Sequence, residues 1–204
     1  MNKFVFLGLL ALIGIGFISY KTTMAFFSDT GQSTNNTFTA SEVFPTPTPQ
    51  IVINEVSSGG NNNSEWVELY NNSVTSANLD GWTIQDNDSS EIDTLPSGTI
   101  PAGGYGLILT NNTTVSGTPA GVIVFILSDN QIGNGLNNNG DRLTLRDSLS
   151  NIIDQMNYGN DSTFFVFSSA PSSSATSARN PNGQDTNTGT DWVIDSSPSI
   201  GVSN

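Results

Sequence analysis

The sequence predicts an all-β sandwich of about nine short antiparallel strands. Residues 65–71 and 79–86 are rich in Trp, Val, Ile and Tyr and fit the two-residue period of half-buried strands. No stretch after residue 50 has the 3.6-residue period of an amphipathic helix. Gly, Asn and Pro separate the apolar segments, and these residues favour turns.

The remaining strands are predicted from shorter patterns. The run at 122–127 has no polar residue, which predicts a strand buried on both faces. Phe164 to Phe167 is also predicted as a core strand rather than an exposed patch. The segment from Ser148 to Asn151 is predicted to join the strands on either side of it in a hairpin. In chain order, the main predicted strands cover 51–56, 65–71, 79–86, 105–110, 122–127, 142–147, 152–158 and 191–194.

Residues 1–25 predict an export signal with a hydrophobic leader helix. Lys3 gives a short positive start, and the apolar run from Phe4 to Ile18 is too short to span a bilayer comfortably. Ala25 offers a small residue for cleavage. The alternative is a retained anchor, in which residues 4–19 make the only membrane contact. With either a cleaved signal or a retained anchor, we expect the protein to be secreted or held at the cell surface of a bacterial envelope.

Residues 26–50 are predicted to be a processed N-terminal arm followed by a linker. Its end alternates proline and threonine from Pro45 to Pro49, which favours an extended polyproline II spacer of about 3.1 Å per residue. This spacer marks the boundary of one domain at 51–204.

The charge balance excludes several classes of function. Asp and Glu total 18 against 5 Lys and Arg, which gives a net charge of −13. So acidic a surface repels nucleic-acid phosphates and anionic membranes. The chain has no Cys and no His, which excludes disulfides and any Ser-His or Cys-His nucleophile within the chain.

The acidic residues predict structural pairing rather than catalysis. Glu65 and Glu68 lie on opposite faces of one predicted strand, so they cannot form an acid–base pair there. If the face that Glu68 shares with Trp66 points inward, its carboxylate needs a partner, and we predict Arg179. Pairing of Arg179 with Asp154 is the alternative. The three indoles are expected in one core, at Trp66, Trp82 and Trp192.

The acidic segment 86–93 is predicted to be a solvated hairpin tip without a cofactor. It fails the EF-hand pattern, because Glu91 stands where the loop needs Gly and Ser97 where it needs Glu. An irregular calcium site remains the alternative, since that ion prefers clustered oxygen ligands. Its candidate ligands are Asp86, Asp88 and Asp93.

Eight short motifs follow one another along the chain, at 53–56, 65–71, 79–82, 100–105, 139–145, 177–179, 191–192 and 198–204. This ordered set resembles the lamin tail domain, an immunoglobulin-like module. The resemblance implies a nine-stranded immunoglobulin-like sandwich with a binding or tethering role and no catalytic residues. Ser150-Asn151 stands where the family often has Gly, and Asn151 is expected to adopt the left-handed turn conformation.

The leader carries a second resemblance. Ala25-Phe26-Phe27-Ser28-Asp29, followed by Asn36, Phe38 and Ala40 at alternate positions, is similar to the leaders of camelysin-type biofilm-fibre subunits. It implies that a dedicated signal peptidase cuts between Ala25 and Phe26.

The sequence therefore predicts a non-catalytic, exported adhesion or tethering module of the cell surface or extracellular matrix. The expected partner is a protein, a glycan or another copy of the chain. One alternative is a fibre subunit that assembles through its N-terminal arm. Two others are a calcium-stabilised binding domain and a carboxylate-based hydrolase.

Overall fold

The computed structural model describes residues 50–59, 65–88, 90–172 and 174–204. The predictions for the leader, the arm and nearly all of the Pro/Thr linker lie outside the described residues. Within these ranges, no helix is long and apolar enough to cross a membrane.

Twelve strands and one short 3-10 helix lie in the described ranges. The helix, Gly189–Asp191, precedes the last strand. The strands are β1 (Ile51–Ser57), β2 (Trp66–Asn71), β3 (Ala77–Asn78), β4 (Thr83–Gln85), β5 (Asp93–Thr94), β6 (Thr99–Ile100), β7 (Tyr105–Leu109), β8 (Ile123–Ile126), β9 (Gly140–Arg146), β10 (Ile152–Gly159), β11 (Thr176–Arg179) and β12 (Trp192–Asp195).

Two sheets enclose the main core, which confirms the predicted all-β sandwich. The larger sheet has six strands in the order β12-β11-β1-β2-β7-β8, and the smaller has four in the order β10-β9-β4-β5. Strands β3 and β6 form a separate two-stranded ribbon. Every described pairing is antiparallel except that of β7 with β8, which is parallel. Ile53 and Leu69 of the larger sheet share the buried core with Leu143 and Met156 of the smaller one.

The strand predicted at 79–86 is only partly correct. Residues 79–82 form a turn, in which the Trp82 amide donates to the Leu79 carbonyl oxygen at 3.1 Å. Gly81 has a φ of 73°, a left-handed conformation that interrupts an extended chain. Strand β4 therefore begins only at Thr83.

The prediction that the apolar run at 122–127 is buried on both faces is wrong. Strand β8 pairs with β7 alone among the described strands and stands at the edge of the six-stranded sheet. Phe125 points into the core, whereas Val124 and Ile126 are 43% and 54% exposed. Apolar composition alone cannot distinguish an edge strand from a central one.

The segment from Phe164 to Phe167 is also not a strand. Phe167 nevertheless lies in the main core, and Phe165 packs against it. Val166 between them points outward and is 75% exposed. The segment is thus a core-anchored loop, so the prediction was right about core contact and wrong about secondary structure.

The predicted hairpin is confirmed as β9 and β10. Its turn differs in detail, because Ser150 takes the left-handed conformation, with a φ of 67°, instead of Asn151. The Asn151 amide and side chain both donate to the Asp147 carboxylate, which closes the turn.

We expect Gly159→Ala to lower the free energy of unfolding by about 3 kcal/mol. Gly159 ends β10 with a φ of 65°, and an added Cβ would meet the backbone carbonyl oxygen of Asn139. Gly103→Ala is the matched control, since Gly103 has a similar φ of 64° and open space around it. The control isolates left-handed strain, about 1 kcal/mol. Equal losses in urea denaturation would contradict the proposed clash.

Candidate functional site

A buried ion pair joins the two sheets through the core. Arg179 of β11 is 1% exposed, and its Nη2 donates to Asp154 Oδ2 at 2.9 Å and to Oδ1 at 3.1 Å. Asp154 lies on β10 of the facing sheet and also accepts the Ile53 amide at 2.7 Å. The alternative pairing of Arg179 with Asp154 is therefore the correct one.

Every nitrogen of the Arg179 guanidinium is engaged. Nε donates to the Ile53 carbonyl oxygen at 2.7 Å, and Nη1 donates to the Gln184 carbonyl oxygen at 2.6 Å. Nη1 also lies 3.3 Å from Asp185 Oδ1 and 3.6 Å from Asp191 Oδ2. The guanidinium stacks over the Trp192 ring at 4.6 Å from its centroid, a favourable cation–π distance. So many fixed partners make Arg179 an organiser of the core.

Burial raises the pKa of Asp154 to about 6, and the Arg179 guanidinium opposes that rise. The carboxylate therefore stays ionised at neutral pH and can pair with the guanidinium.

The predicted pairing of Glu68 with Arg179 is wrong. Glu68 points to the outer face of the six-stranded sheet, whereas Arg179 points to the core. Glu68 accepts a hydrogen bond from Asn54 Nδ2 at 2.8 Å and another from the Gly201 amide at 2.6 Å. It is completely buried there, because the C-terminal segment covers this face. The predicted pairing depended on the face shared by Trp66 and Glu68 being the inner one, and this face is the outer one.

The prediction that the three tryptophans share one core is wrong, because Trp66 also lies on the outer face of the six-stranded sheet. Trp192 lies in the main core, and Trp82 packs partly buried against it. Trp66 belongs to a second cluster on the outer face, together with Leu107 and Leu109. Both faces of the larger sheet are thus covered with apolar side chains, so alternation along β2 could not reveal which one faces the smaller sheet.

A second group of carboxylates surrounds the loop at 132–137, here called the amide loop. Glu65 accepts the amides of Ile132 at 3.1 Å and Leu136 at 2.9 Å. Asp93 accepts the Gly133 amide at 2.7 Å. The amide loop is therefore held by side chains that converge on it from distant parts of the sequence.

Two further carboxylates complete this arrangement. Asp86 accepts the Asn134 amide at 2.8 Å, and Asp141 accepts the Asn137 amide at 2.8 Å. Each of these bonds joins a charged acceptor to a backbone donor, which makes it stronger than a neutral hydrogen bond. The described arginines bind elsewhere, so backbone amides rather than cations satisfy these carboxylates.

Burial raises the pKa of all four carboxyl groups around the amide loop. The pKa of Glu65 rises to about 7 and that of Asp93 to about 6, with the mutual repulsion of the carboxylates adding to burial. The pKa values of Asp86 and Asp141 are raised for the same two reasons. The folded state thus prefers these groups to be protonated more than the unfolded chain does.

The three calcium candidates do come together at the amide loop. Asp86 and Asp93 accept its backbone amides, and Asp88 accepts the Asn134 side-chain amide at 3.2 Å. Their inward oxygens therefore serve as hydrogen-bond acceptors. No group of three or more Asp, Glu, His or Cys within the described ranges is arranged to hold a metal ion.

A family comparison agrees with this architecture. The family model described as Lamin Tail Domain matches residues 45–160, more than half of the chain. The chain belongs to the lamin tail domain family. No curated protein matches the chain. The matched part of the lamin tail domain runs from the linker through β10, and the same sandwich continues beyond it with β11 and β12. Asp154 lies inside the matched part and Arg179 outside it.

Several structural carboxylates of this lamin tail domain were not singled out from the sequence. Glu55, Asp141 and Asp191 are each at most 1% exposed and accept several hydrogen bonds. For Asp141 a signal existed, since it follows the Gly- and Asn-rich loop whose amide it binds. Asp191 binds Thr186 in an irregular segment. Glu55 binds Ser199 in another irregular segment and Thr176 in β11, and no sequence pattern located these partners.

In the lamin tail domain, we expect Glu65→Gln to stabilise the fold at pH 8 and Glu65→Ala to destabilise it. Glutamine keeps one acceptor for the amide loop and removes a charge whose pKa burial has raised. Alanine leaves the amides of Ile132 and Leu136 without their acceptor, at a cost of about 1–3 kcal/mol. Urea denaturation at pH 8 measures both variants. Loss of stability in Glu65→Gln as large as in Glu65→Ala would show that the charge itself is required.

Proposed function

We propose that this lamin tail domain is a non-catalytic binding or tethering module displayed outside the cell. Its partner would be a protein, a glycan or another copy of the chain. The single observation that supports this proposal is that every buried carboxylate of the described residues is engaged in structural hydrogen bonds. A general acid or base must instead be free to reach a substrate.

The separation of the strongest acid–base candidates supports the same proposal. Glu65 and Glu68 both have pKa values raised to about 7, which suits proton transfer. However, Glu65 holds the amide loop, and Glu68 lies on the outer face beneath the C-terminal segment. The two carboxylates therefore do not converge on one substrate position.

The export part of the proposal rests on the leader. A charged start, a short apolar run and Ala25 before the paired phenylalanines support cleavage between Ala25 and Phe26. The Pro/Thr spacer would then hold the domain away from whatever the N-terminus contacts. N-terminal sequencing of exported material tests this step. A chain that begins at Met1 would instead indicate a retained anchor.

The binding part is tested with the purified protein on a glycan array and in pull-downs from envelope extracts. We expect saturable binding of one ligand class and no change in the ligand's covalent structure by mass spectrometry. Turnover of a bound glycan or peptide that is lost in Glu65→Gln would contradict the non-catalytic assignment.

A fibre subunit is the second candidate function, and the free edge of β8 favours it. Edge strands usually carry charges or prolines that prevent pairing with another chain. Strand β8 has none, and β7 is its only partner among the described strands. Its Val124 and Ile126 side chains are exposed. The N-terminal arm of a neighbouring copy could add a strand there.

Size-exclusion chromatography with and without residues 26–42 distinguishes the two functions. Polymers that need the arm and that Ile126→Lys abolishes would indicate a fibre subunit. Val74→Lys is the matched control, because Val74 is 80% exposed but lies in the connection between β2 and β3 rather than in a strand. If every variant is monomeric, the fibre subunit is contradicted and the binding module remains the proposed function.

No cofactor is part of the proposal, and calcium stabilisation is its remaining alternative. Thermal melting with calcium chloride and with a chelator tests it. A calcium-dependent rise in melting temperature that Asp93→Asn removes would establish the alternative.

A further inference from the structure

The last nine residues, 196–204, cross the outer face of the six-stranded sheet and are here called the C-terminal strap. Two backbone amides hold it to the sheet. The Ser199 amide donates to Glu55 Oε2 at 3.2 Å, and the Gly201 amide donates to Glu68 Oε2 at 2.6 Å. Between them, Ile200 packs against the apolar cluster of Trp66, Leu107 and Leu109.

The end of the strap is fixed by one side chain. Asn204 Nδ2 donates to the carbonyl oxygens of Asn54 at 3.2 Å and Arg179 at 3.1 Å. Apart from Ile200, the strap thus depends largely on hydrogen bonds to β1, β2 and β11. The strap pairs with none of the described strands, so its opening breaks no hydrogen bond of the sheet ladders. Gly201 of the strap also lies close to Val122 and Pro119.

The two carboxylates beneath the strap face each other. Glu55 and Glu68 are directly opposite in the β1–β2 ladder, and both are completely buried. Like charges in this position repel. The strap residues contribute no charged side chain, and the three described arginines bind other groups.

The other titratable groups near the pair add no positive charge. Asp195 of β12 repels Glu55, and Tyr105 of β7 lies near Glu68. Thr176 of β11 donates to Glu55, and Asn54 of β1 donates to Glu68. Among the residues that the structure describes, only neutral donors therefore stabilise these two buried carboxylates.

We propose that the C-terminal strap is a pH-sensitive latch, which closes over the Glu55–Glu68 pair when the pair holds a proton and opens as both carboxylates ionise. Opening lets water hydrate the charges, which relieves both their burial and their repulsion. It also removes Ile200 from the cluster of Trp66, Leu107 and Leu109, so an apolar patch becomes accessible on the outer face.

The pKa values give the direction of this dependence. Burial raises the pKa of Glu68 from 4.5 to about 7, and the Glu55 charge adds to the rise. Burial also raises the pKa of Glu55. Because the closed form has the higher pKa, it is favoured at low pH and is lost as the pH rises toward 7 and above.

Hydrogen exchange of the full chain, followed by NMR from pH 5 to pH 8, tests the latch. The protection factors of the Ser199 and Gly201 amides, corrected for the intrinsic pH dependence of exchange, report opening of the strap. We assume one carboxyl group with a pKa of about 4.5 in the open form and about 7 in the closed form. Protection is then expected to fall about tenfold between pH 6 and pH 8. Amides of β2 report global unfolding and are expected to remain far better protected.

Two variants separate the latch from general instability. Glu68→Gln keeps an acceptor and removes the charge, so its strap protection is expected to lose most of the pH dependence. Glu55→Gln is expected to do the same and serves if the first variant fails to fold. Glu91→Gln removes an exposed charge in the β4–β5 connection and should keep the wild-type profile. The proposal is overturned if wild-type strap protection is constant over this range, or if the strap exchanges only together with β2.

Discussion

Replacing Arg179 with alanine is expected to lower the free energy of unfolding by about 3–5 kcal/mol. The substitution leaves Asp154 buried without its cation, and it removes the donors that bind the carbonyl oxygens of Ile53 and Gln184. It also removes the contact with the Trp192 ring. Urea denaturation at pH 7 measures the loss, which should appear as a lower midpoint.

Arg142→Ala is the matched control. Arg142 forms an ion pair with Asp161 at 3.3 Å, but its side chain is 33% exposed. An exposed pair of this kind contributes up to about 1 kcal/mol. A double-mutant cycle of Arg179→Ala with Asp154→Ala then gives the coupling within the buried pair. If Arg179→Ala and Arg142→Ala lose the same stability, the buried pair is not the link between the sheets that its geometry indicates.

Raising the pH from 5 to 8 is expected to lower the stability of the wild-type protein by about 3 kcal/mol, after allowance for solvent screening. Burial raises the pKa values of Glu65 and Glu68 from 4.5 to about 7 and that of Asp93 from 3.8 to about 6. In this window the folded state binds more protons than the unfolded chain. The free energy of unfolding therefore falls as the pH rises, and the fall levels off above about pH 7.

Groups with lowered pKa values set the acidic side of this profile. Hydrogen bonds lower the pKa of the exposed carboxylates Asp88 and Asp147 below 3.8, so what they add to stability is lost only as the pH falls below about 4. The stability optimum is thus expected near pH 4, below the range in which the raised pKa values reduce stability and above the range in which the lowered ones do. In proteins whose carboxylates are paired with cations, stability instead rises with pH through the acidic range.

Urea denaturation at half-unit pH intervals gives the profile. Glu65→Gln and Glu68→Gln should each flatten the decline between pH 5 and pH 8, because each removes one raised pKa. Glu91→Gln removes an exposed charge that adds only a minor repulsion at Asp93, so it should change the slope of the decline far less. A stability that rises from pH 5 to pH 8 would mean that these carboxylates are not desolvated in the folded state.

The long strands could be predicted because their patterns are local. Clusters of β-branched, aromatic and leucine residues favour strands in any tertiary arrangement. Strands β1, β2, β7, β9 and β10 were therefore found within one or two residues. The two-residue strands β3, β5 and β6 are too short to show a period. Strand β11 was missed because Thr176, Ser177 and Ala178 have no apolar pattern, although all are buried.

The structural residues were identified better than their partners. Arg179, Glu68, Trp66 and Trp192 are buried, and Trp82 packs against the main core. The pairing of Arg179 with Asp154 was the stated alternative. The preferred partner, Glu68, failed because period-two alternation assigns residues to two faces without saying which face is inner. Glu68 can be buried on the outer face because the C-terminal strap covers that face.

By itself the sequence determined the fold class, the main strands, the acidic charge and the absence of thiol and imidazole chemistry. These properties follow from composition and from the period of neighbouring residues. Only the tertiary structure decided that Glu65, Asp86, Asp93 and Asp141 hold one loop and that Glu55 and Glu68 lie beneath the strap. Except for the bond of Asp141 to the Asn137 amide, four residues away, those contacts join a side chain to the backbone amide of a distant residue. Every residue except proline has such an amide, so the sequence has no signal for which one will be bound.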